Sequence, residues 1–320
     1  MNSNFFSHAR TALKIGLLSV GIKQNDKILV PSYICEAVIQ PIRDLKLQLE
    51  FYDLDDSFQP IWTELQDKIS KDHFSSILMN HYFGIPQDIH KFTKIAKDND
   101  LILVEDNSHG FGGKFEGKFL GSYGDIGISS PRKILNLSSG GILYLNSKLI
   151  KPNNLPVKKA LFFENYLRGF LSNHPSFKIF FDNLRGKRNF SDPKKYHERW
   201  YSDMATDKYS ELRILKSLEN DCVSEIQRKQ YLRWTRCKEI IKKEGFQPAI
   251  DSICNTSSPW LFPIKIDNLD EKNKLINFAK KKNLVLTSWP ILPAEALEQR
   301  SNALNKWKNN LFIHLNYKIY

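Results

Sequence analysis

LILVEDNSHGFGGKFEGKFLGSYGDIGISSPRKILNLSSGGILYLN, residues 101–146, is the stretch around which the chain is organised. Leu101 to Val104 is an apolar run with the length and composition of a buried parallel strand. It ends in Glu105 and Asp106. Open α/β sheets bind ligands outside the carboxyl ends of their strands, so a carboxylate here is a candidate ligand contact. His109 follows in a glycine-rich turn. Ser129, Ser130, Pro131, Arg132 and Lys133 come next, then Gly140-Gly141 and a second apolar run, Ile142 to Leu145. An acid, an imidazole, paired hydroxyls and one lysine at strand-to-loop junctions point to a site that holds a charged, phosphorylated cofactor.

Strands and helices alternate outward from this stretch. Asp26 to Pro31, Leu49 to Asp53 and Phe74 to Met79 read as strands. A first helix begins around Ser7 to Leu13, with Leu13, Leu17, Leu18 and Val20 as apolar points. Ile89 to Asn99 is amphipathic, with Ile89, Phe92, Ile95 and Ala96 on one face. Strand, helix and strand then form a right-handed crossover unit. Leu161 to Leu167 and Phe177 to Phe181 read as helices in an aromatic, basic region, and Tyr209 to Lys243 as one or two long helices. A strand at Trp260 to Ile266, a helix at Asp270 to Lys282, a strand at Leu284 to Leu286 and a late run, Leu311 to Leu315, complete the chain. The expected fold is α/β: a large domain over 1–243, with a mostly parallel sheet covered by helices on both faces, and a small C-terminal α/β domain over 244–320.

Composition narrows the class. The chain has 320 residues, 41% of them hydrophobic, and a mean hydropathy of −0.42. No apolar run approaches the roughly 20 residues that span a bilayer, so no membrane role is expected. The N-terminus lacks the basic and long apolar regions of a signal peptide. Cys35, Cys222, Cys237 and Cys254 are scattered without metal-ligand spacing, which suits reduced thiols in the cytoplasm and no metal site. The net charge is +12. Its lysines are spread rather than clustered, so nucleic acid is not the expected partner, and attraction for a phosphorylated small molecule accounts for the sign equally well.

The central stretch resembles the DegT/DnrJ/EryC1/StrS family of pyridoxal-phosphate (PLP) sugar aminotransferases. The resemblance rests on Val104-Glu105-Asp106-Asn107-Ser108-His109, Gly121-Ser122-Tyr123-Gly124-Asp125, Ser130-Pro131-Arg132-Lys133 and Gly140-Gly141. Around the lysine it is similar to a smaller subgroup of that family. It extends to Ser7 to Leu13, to Pro31-Ser32-Tyr33-Ile34-Cys35 and to the turn Asn80 to Pro86, and continues weakly through Trp289-Pro290.

The resemblance implies an aminotransferase of PLP fold type I. It makes Lys133 the Schiff-base lysine and Asp106 the partner of the pyridine nitrogen. It gives His109 to the cofactor's phenolic oxygen, Ser130 with Ser129 to the phosphate, and Arg10 and Thr11 to the phosphate from the first helix. An aromatic ring from the loop after the second strand covers the pyridine face in many members. Cys35 occupies that slot here, so either Tyr33 supplies the ring or the thiol packs there, and a structural Tyr33 accounts for the residue nearly as well. His81 reads better as a structural histidine than as a ligand contact. The implied reaction moves an amino group, from glutamate as donor, to a nucleotide-linked keto-sugar in polysaccharide or amino-sugar biosynthesis. The implied assembly is a homodimer, with the aromatic helices as its contact. A non-catalytic relative that binds PLP or a sugar nucleotide as regulator or scaffold is the alternative. An NAD-linked oxidoreductase is disfavoured, because Gly110-Phe111-Gly112-Gly113 has the wrong spacing and does not open a helix.

Overall fold

The computed structural model describes residues 2–145, 155–184, 202–299 and 301–319. Its first half runs β1 (Asn2–Phe6), α1 (Ala9–Ser19), β2 (Lys27–Pro31), α2 (Glu36–Asp44), β3 (Gln48–Tyr52), α3 (Trp62–Lys71), β4 (Ser76–Asn80), α4 (Ile89–Asp98), β5 (Ile102–Asn107), the hairpin β6 (Lys114–Phe115) and β7 (Lys118–Phe119), β8 (Ile126–Ser129), α5 (Pro131–Ile134) and β9 (Gly141–Leu145). The second half runs α6 (Phe162–Asn173), α7 (Pro175–Leu184), α8 (Lys208–Ser217), α9 (Asn220–Lys243), β10 (Gln247–Pro248), β11 (Leu261–Lys265), α10 (Leu269–Lys281), β12 (Leu286–Thr287), α11 (Ala294–Glu298), α12 (Ala303–Lys308) and β13 (Asn310–His314).

Seven strands form the main sheet in the order β1-β9-β8-β5-β4-β2-β3. β3, β2, β4, β5 and β8 are parallel. β9 runs against β8, and β1 against β9. Along the parallel strands successive side chains enter different cores. Leu29, Ile77, Met79 and Leu103 pack with Leu65, Phe92 and Ile95 on one face, whereas Ile28, Val30, Leu78 and Val104 pack with Leu13, Leu17, Ile39 and Ile42 on the other. This is the mostly parallel sheet covered on both faces that the sequence pattern implies. Helix α4 buries the four positions its periodicity marks, Ile89, Phe92, Ile95 and Ala96, and Asp88 caps it by accepting from the Lys91 N–H at 3.0 Å.

Strand β1 is absent from the sequence reading. Asn-Ser-Asn-Phe-Phe has no alternating pattern, and its conformation comes from pairing with β9, Phe5 opposite Ile142 and Phe6 opposite Gly141. That pairing sets where α1 begins. Gly141 is required there, because a Cβ on it would lie 2.3 Å from the His8 carbonyl carbon.

The second, four-stranded sheet is antiparallel, in the order β10-β11-β13-β12. Its core joins Phe262, Ile264, Leu311 and Ile313 with Leu275 and Phe278 of α10, and with Trp234, Cys237 and Ile241 of α9. On its other face Leu261 and Phe312, with Trp289 and Trp307, pack into the core that also holds Phe83 and Phe92. The two sheets therefore meet through a shared apolar layer next to the carboxyl ends of β4 and β5. Residues 185–201, in the middle of the basic aromatic region, lie outside the described residues.

Candidate functional site

A cavity opens at the carboxyl ends of the parallel strands, on either side of the point where the chain order reverses between β2 and β4. Ile34 and Cys35 come from the end of β2, Asn80 from β4, Asp106 from β5 and Ser130 from β8. The first turn of α1, with His8, Ala9 and Arg10, closes one side, Lys133 on α5 lies at another, and Trp289 of the second unit covers it.

Glu105 and Asp106 divide the work of β5. Glu105 is fully buried and accepts from Gly121 N at 2.6 Å, Tyr123 N at 2.6 Å and Gly124 N at 3.0 Å. His81 Nε2 lies 2.8 Å from its Oε1. His81 Nδ1 accepts from Gln87 N at 3.1 Å, so the other ring nitrogen carries the hydrogen and donates to Glu105. His81 is thus a structural histidine. Asp125 accepts from Leu103 N at 2.9 Å. The loop from Gly121 to Asp125 is therefore a clasp that fixes β5, not a ligand-binding turn. The turn at Tyr82–Gly84 is a single 3-10 turn packed on the backbone of the next strand's loop. Gly84, at a φ of +93°, allows this, because a Cβ there would sit 2.5 Å from the His109 carbonyl oxygen.

Asp106, one residue on, faces the cavity. It is 2% exposed and its Oδ1 accepts from Ser108 N at 2.7 Å. Burial raises its pKa, and the Ser108 hydrogen bonds and the charge of Lys133 only partly offset that. Such a carboxylate is poised to meet a cationic group.

Lys133 remains partly accessible from the cavity, but its amine is surrounded by protein. Burial pulls its pKa down to about 8, with Cys35 and Asp106 opposing that fall and Arg132 and Arg10 adding to it. The amine lies 4.6 Å from the centre of the Trp260 ring. At pH 7 about a tenth of the amine is therefore unprotonated, far more than for a free lysine, which favours a nucleophilic role. His109 is 7% exposed and packs at a tilt against Trp260 at 4.9 Å and edge-on against Trp289 at 5.5 Å. Burial and the nearby Lys133 hold its imidazole neutral. Its Nδ1 is buried without a hydrogen-bond partner among the described residues.

The anionic end is marked by charge. His8, at the start of α1, has a pKa lowered to about 3, first by burial and then by Arg132, Arg10, Lys158 and Arg168. The N-terminal N–H groups of an 11-residue helix open into the same region. Arg10 borders the cavity and donates to Gln40 Oε1 at 3.2 Å. Ser130, 3% exposed, stands beside it.

Of the expected site residues, the structure brings together Lys133, Asp106, His109, Ser130, Arg10 and Cys35. Ser129, Thr11 and Tyr33 lie outside the lining. Ser129 donates its hydroxyl to the Asn107 carbonyl at 3.2 Å. The Thr11 hydroxyl is fully buried and has no partner among the described residues. Tyr33 stacks on Trp289 at 4.8 Å within a cluster that includes Tyr82 and Phe58. Trp260, Trp289 and Asn80 were not marked as site residues by sequence reasoning. Trp260 and Trp289 lie more than 120 residues after Lys133 or close to it in space only through the second sheet, so no local pattern signals them.

The donor set suits a phosphorylated, ring-nitrogen cofactor. It offers a buried acid, an available amine, a neutral imidazole with an unfilled nitrogen and a cationic helix start. Among the described residues there is no cluster of three or more His, Cys, Asp or Glu that could hold a metal ion, and no helix long and apolar enough to cross a membrane. The four cysteines are free thiols.

Comparison with known proteins follows the same lines. A GDP-perosamine synthase of Escherichia coli O157:H7 is 29% identical over 147 residues, 45% of this chain and 40% of that protein. A UDP-N-acetyl-3-dehydro-alpha-D-glucosamine 3-aminotransferase of Acidithiobacillus ferrooxidans is 25% identical over 175 residues, 55% of this chain and 44% of that one. The matches thus span less than half the length of these curated relatives. The solved structure of E. coli GDP-4-keto-6-deoxy-D-mannose-3-dehydratase with bound hydrated PLP superimposes with a TM-score of 0.66 at 18% identity, covering 98% of this chain and 84% of that one. The family profile of the DegT/DnrJ/EryC1/StrS aminotransferases matches residues 5–157. That segment, just under half of the chain, carries Asp106, His109, Ser130 and Lys133, and it is similar to the DegT/DnrJ/EryC1/StrS aminotransferase family.

Proposed function

We propose that the protein is a PLP-dependent aminotransferase that moves an amino group, from glutamate, to a nucleotide-linked keto-sugar in the making of amino sugars for cell-surface polysaccharide. The observation that carries this reading is the pairing of Lys133, an enclosed amine with a pKa near 8, and Asp106, a buried carboxylate, across one cavity at the carboxyl end of β5. The curated relatives named above, a GDP-sugar synthase and a UDP-sugar aminotransferase, support the acceptor class.

Lys133 holds the cofactor through its amine. Asp106 would keep a proton on the ring nitrogen, and the cation there would offset the cost of burying the carboxylate. The bound cofactor supplies an electron sink for the bond broken next to the amino group. Ser130, Arg10 and the start of α1 hold the phosphate. Thr11, in the same turn of α1, has a buried hydroxyl without a partner among the described residues, and it would be a further donor to the phosphate. His109 would serve the phenolic oxygen and Cys35 the ring face, both from the lining of the cavity. Ser129 and Tyr33 act behind the lining, as supports of β8 and of Trp289. The Lys133 amine, when not bound to the cofactor, would be the group placed to carry a proton at the reacting carbon.

The active unit is a cytoplasmic homodimer. Phe162, Phe163, Tyr166, Phe177 and Phe180 on α6 and α7 are each more than half exposed, which is more aromatic surface than a lone subunit keeps in water. The division into a large unit, 1–243, and a small one, 244–320, leaves α9 as the bridge between them, since its last turns share the core of the second sheet.

The test is a screen of the PLP-loaded protein with glutamate against a panel of GDP- and UDP-linked keto-sugars, read by mass spectrometry. An amino-sugar product is expected. Rapid turnover of simple 2-oxo acids with none of any nucleotide sugar contradicts the reading.

A further inference from the structure

Trp289, which covers the cofactor cavity, leads a segment that runs back over the large unit, through Ile291 and Leu292 into α11. The segment crosses the start of α2. Glu36 N, at the first position of that helix, donates to the Ile291 carbonyl at 3.2 Å. Glu36 directly follows Cys35, which lines the cavity. The cover and the lining therefore meet at one place, the first turn of α2.

Arg43, in the last turn of α2, joins them by charge. Its Nε donates to Glu295 Oε1 at 2.7 Å and its Nη2 to Glu295 Oε2 at 2.6 Å, the forked geometry in which guanidinium and carboxylate bind most strongly. The same guanidinium donates to Glu36, from Nη1 to Oε1 and from Nη2 to Oε2 at 3.2 Å. The side chains of Arg43, Glu295 and Glu36 are 37%, 34% and 14% exposed, so water screens the cluster only in part. Apolar packing at this join is incomplete. Leu292 and Ala296 are buried, but Ile291 and Leu297 border a gap of about 490 Å³ that Arg43, Glu36 and Glu295 also line. Farther along, α12 is tied to the loop after β3 by hydrogen bonds to backbone carbonyls, from Asn302 to Leu54 and from Lys306 to Asp55. The tie nearer the cavity is thus ionic, and the farther one is not.

We infer that Arg43 is a positioning residue for the cofactor cavity: by fixing Glu295 against the start of α2, it keeps Trp289 seated over the lining. Arg43 is not part of that lining and acts through residues 289–295. That the cavity receives PLP rests on the reading above; the tie itself does not. Partly exposed ion pairs contribute little to global stability. Their effect falls on local opening, which costs far less than unfolding, so the cluster governs how often the cover lifts.

The experiment reads access to the cavity in two ways. Cys35 in the cofactor-free protein is alkylated with iodoacetamide and its peptide is quantified by mass spectrometry, which reports on the cover whatever the cavity binds. Release of pyridoxamine phosphate, which forms no bond to Lys133, is followed by its fluorescence. Glu295→Ala and Arg43→Met are expected to raise both rates several-fold with little change in Tm. Arg43→Lys, which keeps the charge without the fork, should fall between them and wild type. Glu36→Ala leaves the Glu295 fork in place and should change either rate less than twofold. In about 1 M KCl the wild-type rates should approach those of Glu295→Ala, whose own rates stay level. Unchanged alkylation in Glu295→Ala overturns the role, and so does equal acceleration in Glu36→Ala and Glu295→Ala, which would place the effect within α2. Alkylation that follows the expected pattern in a folded protein that binds no pyridoxamine phosphate keeps the role of Arg43 and rejects the cofactor reading. Tight binding whose release is the same in wild type and Glu295→Ala does the reverse.

Discussion

Glu105 and Asp106 are adjacent on β5 and their carboxylates serve opposite sides of it. The first accepts three backbone N–H groups of the loop Gly121–Gly124 and the imidazole of His81, and the second faces the cavity that Lys133 borders. Alternation along a strand produces this split, with one residue tying the sheet to its loop and the next presented to a ligand. The two carboxylates should therefore fail in different ways.

Glu105→Ala leaves three N–H donors and an imidazole in a dry interior without their acceptor. Losing one partner of such a buried arrangement costs about 3–5 kcal/mol. Urea denaturation should place the variant that far below wild type, or the chain should fail to accumulate in soluble form. A loss under 1 kcal/mol, about the value of a single exposed contact, would argue against the clasp.

Asp106→Asn is expected to keep the fold, since an amide oxygen can still accept from Ser108 N. Turnover should fall by two orders of magnitude or more, because an amide does not hold a proton on the ring nitrogen. Thermal melting and steady-state kinetics on the same preparation separate the two effects. Activity within a few-fold of wild type would remove Asp106 from its role.

Lys133 gives a stability prediction with a defined pH window. Its folded-state pKa, about 8, lies below that of a free lysine, so the cost of keeping the charged amine enclosed is fully present below about pH 8. Between that point and the free-lysine value the unfolded chain binds more protons than the folded one, and stability recovers as pH rises. Lys133→Met in the cofactor-free protein should therefore be stabilising at pH 7, by on the order of 2 kcal/mol after allowance for water reaching the cavity. The gain should shrink above pH 8. An equal or larger gain at pH 10 would mean that the amine is not the cause.

Capture of PLP should follow the same titration. The reacting species is the neutral amine, so the rate at which apo-protein takes up PLP should rise with pH and level off just above 8. Stopped-flow absorbance across pH 6 to 10 reports it. A rate still climbing tenfold per pH step at the top of that range would point to an ordinary exposed lysine.

The exposed aromatic face of α6 and α7 should hold the dimer. Phe163→Ser with Tyr166→Ser removes two side chains that are 79% and 74% exposed in the single chain. Sedimentation velocity at micromolar concentration is expected to give a dimer for wild type and a larger monomer fraction for the variant. A wild-type monomer with full activity would reject the shared assembly.

What could be read from the residues alone follows how far each feature depends on its neighbours in the chain. Asp106, His109, Ser130 and Lys133 sit at strand ends within one stretch, and each lines the cavity. The parallel strands and α4 were legible because burial imposes their period. Single-residue choices were harder. Thr11 and Ser129 each lie one residue from a lining residue and face away from it, a distinction set by helix phase and strand alternation. Tyr33 is drawn into packing by Trp289, and Trp289 reaches it through the docking of the second sheet, a long-range contact that carries no local mark. Strand β1 likewise depends on β9.

The account turns on one amine. Borohydride reduction of the PLP-loaded protein, followed by peptide mapping, should place a single pyridoxyl group on the peptide containing Lys133, and Lys133→Ala should abolish the label while leaving the protein folded. Label on a different lysine, or none in a folded protein saturated with PLP, would contradict it.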